Sequence, residues 1–170
     1  MRVAGVVVTG LMITAVSAMS AATRLDRLQV RTDAAWAALD SALCRRARAV
    51  SALDGVLAGG SALCWAAEAV LQTTASAVPH ATREEVENEL SRALVLLDRA
   101  ALEPAYARRL ADAEQRVMIA RRVYNDAVRD TLALRSHRSV RWLRLAGRVP
   151  LPRYFDIAEP TLPSNFVVSG

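Results

Sequence analysis

The stretch ARRVYNDAV, Ala120 to Val128, lies in the middle of the segment that most clearly predicts a long helix. Apolar or small side chains recur around it every three or four residues, which places them on one face of a helix. They are Leu110, Ala113, Val117, Ala120, Tyr124, Ala127 or Val128, Thr131 and Leu134. Proline is favoured at the first helical position. The pattern therefore predicts a helix from Glu103-Pro104 to about Ser136.

A first long helix is predicted from Leu25 to about Thr74. Its apolar stripe comprises Trp36, Leu39, Leu43, Val50, Leu53, Leu57, Cys64, Ala67 and Leu71. Gly59-Gly60 is the weak point, because two glycines cost about 2 kcal/mol of helix propensity. A kink or break is expected there.

A second helix is predicted after the turn formed by residues 76–81. Thr82-Arg83-Glu84-Glu85 has the pattern of a capping box, which starts a helix at Arg83. This helix ends near Leu102, and its apolar face carries Val86, Leu90, Leu94 and Leu97.

The region after Ser136 predicts one short helix and an irregular tail. Residues 139–146 form the short helix, which Gly147 ends. Four prolines follow, and Tyr154 and Phe155 are expected to dock on the preceding helices. Residues 158–170 are expected to be disordered.

The composition agrees with an all-α fold. Of the 170 residues, 53% are hydrophobic and only 5% aromatic, with alanine and leucine dominant, as in helices packed by small and branched side chains. The length fits one domain with an N-terminal appendage. We expect an antiparallel up-down-up bundle of three long helices plus a short C-terminal helix over residues 25–157.

The N-terminal segment has no charged residue from Val3 to Thr23. As a helix it would span about 32 Å, enough for the core of a bilayer. We therefore expect residues 1–24 to be an uncleaved transmembrane anchor. Arg24, Arg27 and Arg31 follow it, which favours a cytoplasmic body and an external N-terminus.

A cleaved signal peptide is the alternative for the same segment. Ala18-Met19-Ser20 would be its cleavage site. The mature protein would then be an exported soluble bundle. The apolar run is longer than the usual signal-peptide core, which favours the anchor.

The charge is concentrated in one C-terminal segment. The net charge is +5, and all 22 basic residues are arginine. Six of them lie between Asp130 and Asp156, where no acidic residue occurs, and elsewhere 16 arginines stand against 17 acids. The exclusive use of arginine is typical of a coding bias. It weakens the inference from high pI to nucleic-acid binding.

No catalytic, cofactor or metal motif is present. The sequence lacks phosphate-binding glycine loops, a nucleophile elbow and a zinc-binding HExxH pattern. Its two histidines, His80 and His137, fall outside the predicted helical core. Cys44 and Cys64 would lie about 30 Å apart on one continuous helix, too far to pair. We expect a protein that is not an enzyme and holds no cofactor or metal.

Residues 35–46 have the sequence AWAALDSALCRR, and residues 120–128 have the sequence ARRVYNDAV. These blocks resemble the first-helix signature and the most specific block of the LemA family. The closing Arg153-Tyr154-Phe155-Asp156 is similar to its terminal element. The resemblance implies a divergent, shortened member with a membrane-anchored antiparallel helical bundle, in a family whose molecular activity is not established.

Two clusters are candidate interaction sites. The first comprises Arg45, Arg46, Arg121, Arg122, Tyr124 and Asn125. It has a structural interpretation, in which Tyr124 packs inward and Arg121 or Arg122 reaches Glu114 or an acid on the first helix. In the functional interpretation the cluster recognises an unknown protein partner.

The second cluster belongs to the basic segment from Arg135 to Arg153. It comprises Arg138, Arg141, Trp142, Arg144 and Arg148. This composition fits an interfacial helix on anionic lipid or, less well, a nucleic-acid contact. The simpler interpretation is a capping helix that closes the end of the bundle.

Overall fold

The computed structural model describes residues 2–53, 62–75, 78–136 and 151–157. Within these ranges every regular element is helical and no strand occurs. The predicted all-α class is confirmed.

Four α-helices and one short 3₁₀ turn make up the described chain. In order they are α1 (Arg2–Ser51), α2 (Ala62–Ala75), α3 (His80–Val95), a 3₁₀ turn (Arg99–Ala101) and α4 (Pro104–Ser136). The prediction of three long helices is therefore wrong in one respect: the expected helix from Leu25 to Thr74 is two helices.

The first helix ends well before the glycine pair. The Leu53 amide donates to the Val50 carbonyl at 2.8 Å, a tight bond to the third residue back that closes the last turn. Gly59-Gly60, where we expected the break, lies outside the described residues. The Cys44 thiol contacts the Thr74 hydroxyl at 3.3 Å, so α2 runs back along the end of α1.

The predicted capping box does not start α3. The helix begins at His80, with Pro79 as its N-cap and no side-chain cap bond. The Arg83 amide bonds the Pro79 carbonyl at 3.1 Å, so Thr82 lies inside the first turn and cannot cap. By contrast α4 starts at Pro104 and ends at Ser136, as its sequence predicts.

The described residues fall into two compact units. The first holds the chain up to Leu39 together with residues 120–154. In it, the Thr32 and Thr131 hydroxyls meet at 3.1 Å, and Arg31 pairs with Asp130 at 3.1 Å. Trp36, four residues after Thr32, packs on Tyr124, seven residues before Thr131, so these parts of α1 and α4 run antiparallel.

The second unit contains Asp40–Ile119 and the residues from Phe155 onward. An apolar cluster forms its core, and its buried members come from α1, the turn after it, α2, α3, the 3₁₀ segment and α4. They are Ala47, Val50, Leu53, Leu63, Ala67, Val70, Leu90, Leu94, Leu102 and Leu110. Six of these lie on the stripes that the sequence predicts.

The N-terminal segment is helical, because α1 begins at Arg2. In the part of the chain that the structure describes, none of the helices has a run long and apolar enough to cross a membrane. The predicted anchor at 1–24 includes Met1 and the side chains of residues 2–11, which lie outside the described part.

The tail prediction is right for one aromatic residue and wrong for the other. Phe155 is completely buried, whereas Tyr154 is 49% exposed. The Asp156 amide between the buried Phe155 and Ile157 donates to the Glu84 carboxylate at 3.1 Å. The predicted short helix at 139–146 and the tail at 158–170 lie outside the described residues.

Leu90 tests the packing of the second unit. The Leu90→Ala variant should lower the free energy of unfolding by about 2–5 kcal/mol, because Leu90 is fully buried and truncation leaves a cavity. Leu96→Ala is the matched control, since Leu96 is 87% exposed and should change stability by less than about 0.5 kcal/mol. Urea unfolding followed by circular dichroism measures both, and equal effects would contradict this core.

Candidate functional site: a buried arginine and carboxylate network

Charged side chains lie inside the second unit, next to its apolar core. Arg46 of α1 and Glu87 of α3 are 3% and 0% exposed. An Arg46 Nη2–Glu87 Oε2 bond of 2.7 Å joins them, and Arg46 Nη1 donates to the Ser91 hydroxyl at 3.2 Å. These contacts couple α1 to α3 through side chains 41 and 45 residues apart in sequence.

Arg83 extends the network to α2. Its Nη2 donates to Asp40 Oδ1 at 2.8 Å, and its Nε lies 3.4 Å from Glu87 Oε1. The other nitrogen, Nη1, donates to acceptors near the C-terminal end of α2. These acceptors are the Val70 carbonyl at 3.3 Å, the Thr73 hydroxyl at 3.1 Å and the Thr74 hydroxyl. The buried Arg83 guanidinium thus contacts α1, α2 and the next turn of its own helix, α3.

The network contains two arginines and two carboxylates. Arg46, Arg83 and Glu87 are buried, while the Asp40 side chain is 34% exposed. Burial raises the pKa of the Glu87 carboxyl above its ordinary value, and the neighbouring Arg46 and Arg83 oppose that rise. Desolvation consumes much of the Coulomb attraction in such a site, so its main effect is to specify which groups face each other.

The two cysteines are not joined by a disulfide. The reason for which no pairing was expected is wrong, because Cys44 and Cys64 lie on separate helices and not on one continuous helix. Cys44 is buried beside Arg83, whose Nη2 lies 3.9 Å from the sulfur. Among the described residues, no group of three or more His, Cys, Asp or Glu side chains has an arrangement suited to a metal ion.

The first predicted cluster divides between the two units. Arg45 and Arg46 belong to the second unit, but their side chains differ, since Arg46 is buried and Arg45 is exposed and bonds Ser41 of its own helix at 3.2 Å. The other predicted members belong to the first unit. They are Arg121, Arg122, Tyr124 and Asn125.

Tyr124 packs inward, as its place on the stripe predicts. It is 2% exposed, and its ring centroid lies 5.3 Å from that of Trp36 at a tilt of 59°. Its hydroxyl donates to the Arg153 carbonyl at 2.9 Å. Residues from all three blocks that resemble the LemA family therefore meet around this one side chain.

The remaining residues of that cluster lie nearer the surface. Arg122 is exposed, and Arg121 and Asn125 are half-buried. Glu114, one of the acids expected to accept from Arg121 or Arg122, is bound by Arg99 through two bonds of 2.6 and 2.7 Å. The pairing of Arg121 or Arg122 with an acid of the first helix stays a prediction.

The second predicted cluster cannot be placed. Its five members lie outside the described residues, namely Arg138, Arg141, Trp142, Arg144 and Arg148. At the ends of the same basic segment, Arg135 is half-buried and Arg153 is exposed. The anionic-surface site there stays a prediction.

Sequence reasoning missed Arg83 and Glu87, although a signal was present. Positions 83, 87, 90 and 94 follow a 4-3-4 spacing, so the two charged residues occupy the stripe of Leu90 and Leu94. Arg46 likewise lies on the apolar stripe of α1, which includes positions 39, 43, 46 and 50. A charge at a stripe position indicates burial with a partner.

Comparison with protein-family models, with curated proteins and with solved structures gave no match to this chain.

Arg46→Met tests the network at neutral pH. Methionine keeps much of the aliphatic stem but leaves Glu87 buried with one arginine fewer, so the free energy of unfolding should fall by about 3–5 kcal/mol. Arg45→Met is the matched control, because Arg45 is exposed, and should change it by less than about 0.5 kcal/mol. Urea unfolding of the full chain distinguishes the two, and equal losses would contradict the network.

The pH dependence of the stability of Arg46→Met tests the contribution of the Glu87 carboxyl. A raised folded pKa contributes stability below the ordinary value of 4.5, and this contribution is lost as pH rises through the raised value. Removal of Arg46 raises that pKa further. The stability deficit of Arg46→Met should therefore grow with rising pH. In a Glu87→Gln background this growth should disappear, because no carboxyl remains at position 87.

Tyr124→Phe tests the hydroxyl contact in the first unit. The ring still packs on Trp36, but the bond to the Arg153 carbonyl is lost, so we expect a loss of about 0.5–1.5 kcal/mol. Tyr124→Ala should cost more, about 3–5 kcal/mol. Thermal melting measures both, with the exposed Tyr154→Phe as control. A loss for Tyr154→Phe equal to that for Tyr124→Phe would contradict a specific role of this hydroxyl.

Proposed function

We propose that this chain is a LemA-like, membrane-anchored helical module that binds partner proteins through its helical surfaces and catalyses no reaction. The observation that carries the proposal is the continuity of α1. One helix runs from Arg2 to Ser51, so the uncharged N-terminal segment and the helix that holds Trp36 and Arg46 are one element.

The exposed side chains of α1 support an apolar environment around its start. Met12, Val16 and Met19 are 64%, 66% and 74% exposed. Their 4-3 spacing places them on one side of the helix. In water such a stripe is unfavourable, whereas in a bilayer it would contact lipid chains.

The position of Tyr124 supports the LemA assignment. Tyr124 of the second block contacts Trp36 of the first block through a ring pair and Arg153 of the closing block through a hydrogen bond. Residues that meet in space give a physical reason for the three blocks to occur together.

The arrangement of charged and apolar side chains in the second unit supports a role in protein interaction in place of catalysis. The buried charges of the second unit bond each other: Arg46 to Glu87, and Arg83 to Asp40. Exposed large apolar side chains of that unit include Trp65 and Leu96, at 72% and 87%. Exposed apolar groups of this kind are typical of contact surfaces.

The arginines that follow the uncharged segment favour a cytoplasmic body with an external N-terminus. Cleavage of the segment would instead give an exported bundle. Binding of anionic lipid through Arg138, Arg141, Arg144 and Arg148 is a further alternative to protein binding.

The anchor is tested by alkaline extraction of membranes from cells that express the full chain. We expect the wild type to stay in the membrane pellet and to keep Met1 or Arg2 at its N-terminus. Met12→Arg/Val16→Arg should move the chain to the supernatant, because each charge near the middle of a span costs about 2.5–3.5 kcal/mol.

Met118→Arg/Ile119→Arg is the matched control, since both side chains are exposed on α4 and should have no effect on extraction. A wild-type chain that is extracted by alkali would contradict the anchor. An N-terminus at or after Ser20 would establish the exported form instead.

A further inference from the structure

Three exposed arginines lie on one side of α1 directly after the uncharged segment. At about 100° per residue, Arg24, Arg27 and Arg31 fall within an arc of about 60°. All three are exposed. Because their side chains share one face, they form a compact positive patch.

The acidic residues of this part of α1 lie on a different side. Asp26 and Asp33 are exposed and about 20° apart, and each is about 100° or more from every arginine of the patch. Arg31 is already paired with Asp130 of α4 at 3.1 Å. The acids of α1 therefore do not neutralise Arg24 and Arg27, and these two carry the charge of the patch.

The positions of Arg24 and Arg27 along α1 determine at which level of a bilayer their guanidinium groups lie. At a rise of about 1.5 Å per residue, Arg24 and Arg27 lie about 1.5 and 6 Å beyond Thr23. The polar layer on each side of a bilayer core is about 5–8 Å thick. With residues 3–23 in the core, both guanidinium groups lie at the level of the lipid phosphates.

We propose that Arg24 and Arg27 form a binding site for the phosphate groups of anionic phospholipids. The inference rests on the proposed membrane anchor and adds a ligand to it. Guanidinium groups bind phosphate through paired N–H donors, which suits them to this contact better than ammonium groups. The site differs from the basic segment at 138–148, because it lies on the anchoring helix itself.

The test uses the full chain in vesicles of phosphatidylcholine that contain a spin-labelled lipid. The measured quantity is the association of labelled phosphatidylglycerol relative to labelled phosphatidylcholine. Wild type should prefer the anionic lipid. Arg24→Gln/Arg27→Gln should reduce this preference by a factor of up to about five per arginine.

Two control variants test whether the preference for the anionic lipid depends specifically on Arg24 and Arg27. Arg108→Gln/Arg109→Gln removes two exposed charges from the start of α4 and should leave the preference unchanged. Arg141→Gln/Arg144→Gln removes two charges from the basic segment and should also leave it unchanged. Loss of the preference in this second variant, and not in Arg24→Gln/Arg27→Gln, would overturn the site.

The remaining outcomes separate the site from the anchor. A wild-type chain that enters vesicles but shows equal association with both lipids overturns the site alone. A chain that enters no vesicle overturns the anchor and the site together.

Discussion

Two buried guanidinium groups constrain the helices of the second unit more narrowly than its apolar core does. Leucine and valine side chains pack against many neighbours, but Arg46 and Arg83 require specific acceptors at bonding distance. Arg83 finds them in Asp40 of α1 and in the last turns of α2, and it also forms an ion pair of 3.4 Å with Glu87 of its own helix. A shift of one helix by a turn would leave a buried charge without its partner, so the network fixes the register of three helices.

In the first unit, contacts between uncharged polar and aromatic side chains have a comparable role in fixing which residues face each other. The buried hydroxyls of Thr32 and Thr131 lie 3.1 Å apart, and each also lies within bonding distance of a carbonyl one turn earlier in its own helix, so their two protons are shared among three contacts. Tyr124 places its ring against Trp36 and its hydroxyl on a carbonyl of the closing segment. The core of the second unit is specified by ion pairs, and this helix pair is specified by hydroxyl groups and aromatic rings.

The sequence predicted the parts of the fold that depend on periodicity. The boundaries of α4 agree because Pro104 is a local signal, and the stripe residues Leu90, Leu110 and Tyr124 are buried because their spacing alone places them on one face. The end of α1 at Ser51 was missed, because the apolar spacing of α1 continues in the sequence of α2. One long helix and two separate helices therefore have the same pattern. The start of α3 was missed because the Arg83 amide bonds the Pro79 carbonyl, which puts Thr82 inside the first turn, where it cannot cap the helix.

The candidate site was harder to predict, because its charged residues come from two helices, α1 and α3, and further acceptors come from α2. Arg46 was singled out beside Arg45, yet only the helical register distinguishes the buried arginine from the exposed one. Glu87 could be assigned as its partner, and Asp40 as the partner of Arg83, only when the direction of α3 along α1 was known. A pattern within one helix carries no information about that direction.

The sequence separations of these contacts also bear on the order in which the chain folds during synthesis. The bonds of Arg83 to α2 close loops of about 10 residues, and the pair of Arg46 with Glu87 closes one of 41. The Thr32 and Thr131 pair joins positions 99 residues apart. Since the ribosome releases the N-terminal residues first and long loops cost more entropy to close, the buried ion network can assemble while α4 is still emerging. Thr32 and its neighbours on α1 must then wait for their partners until the last turns of α4 have been translated.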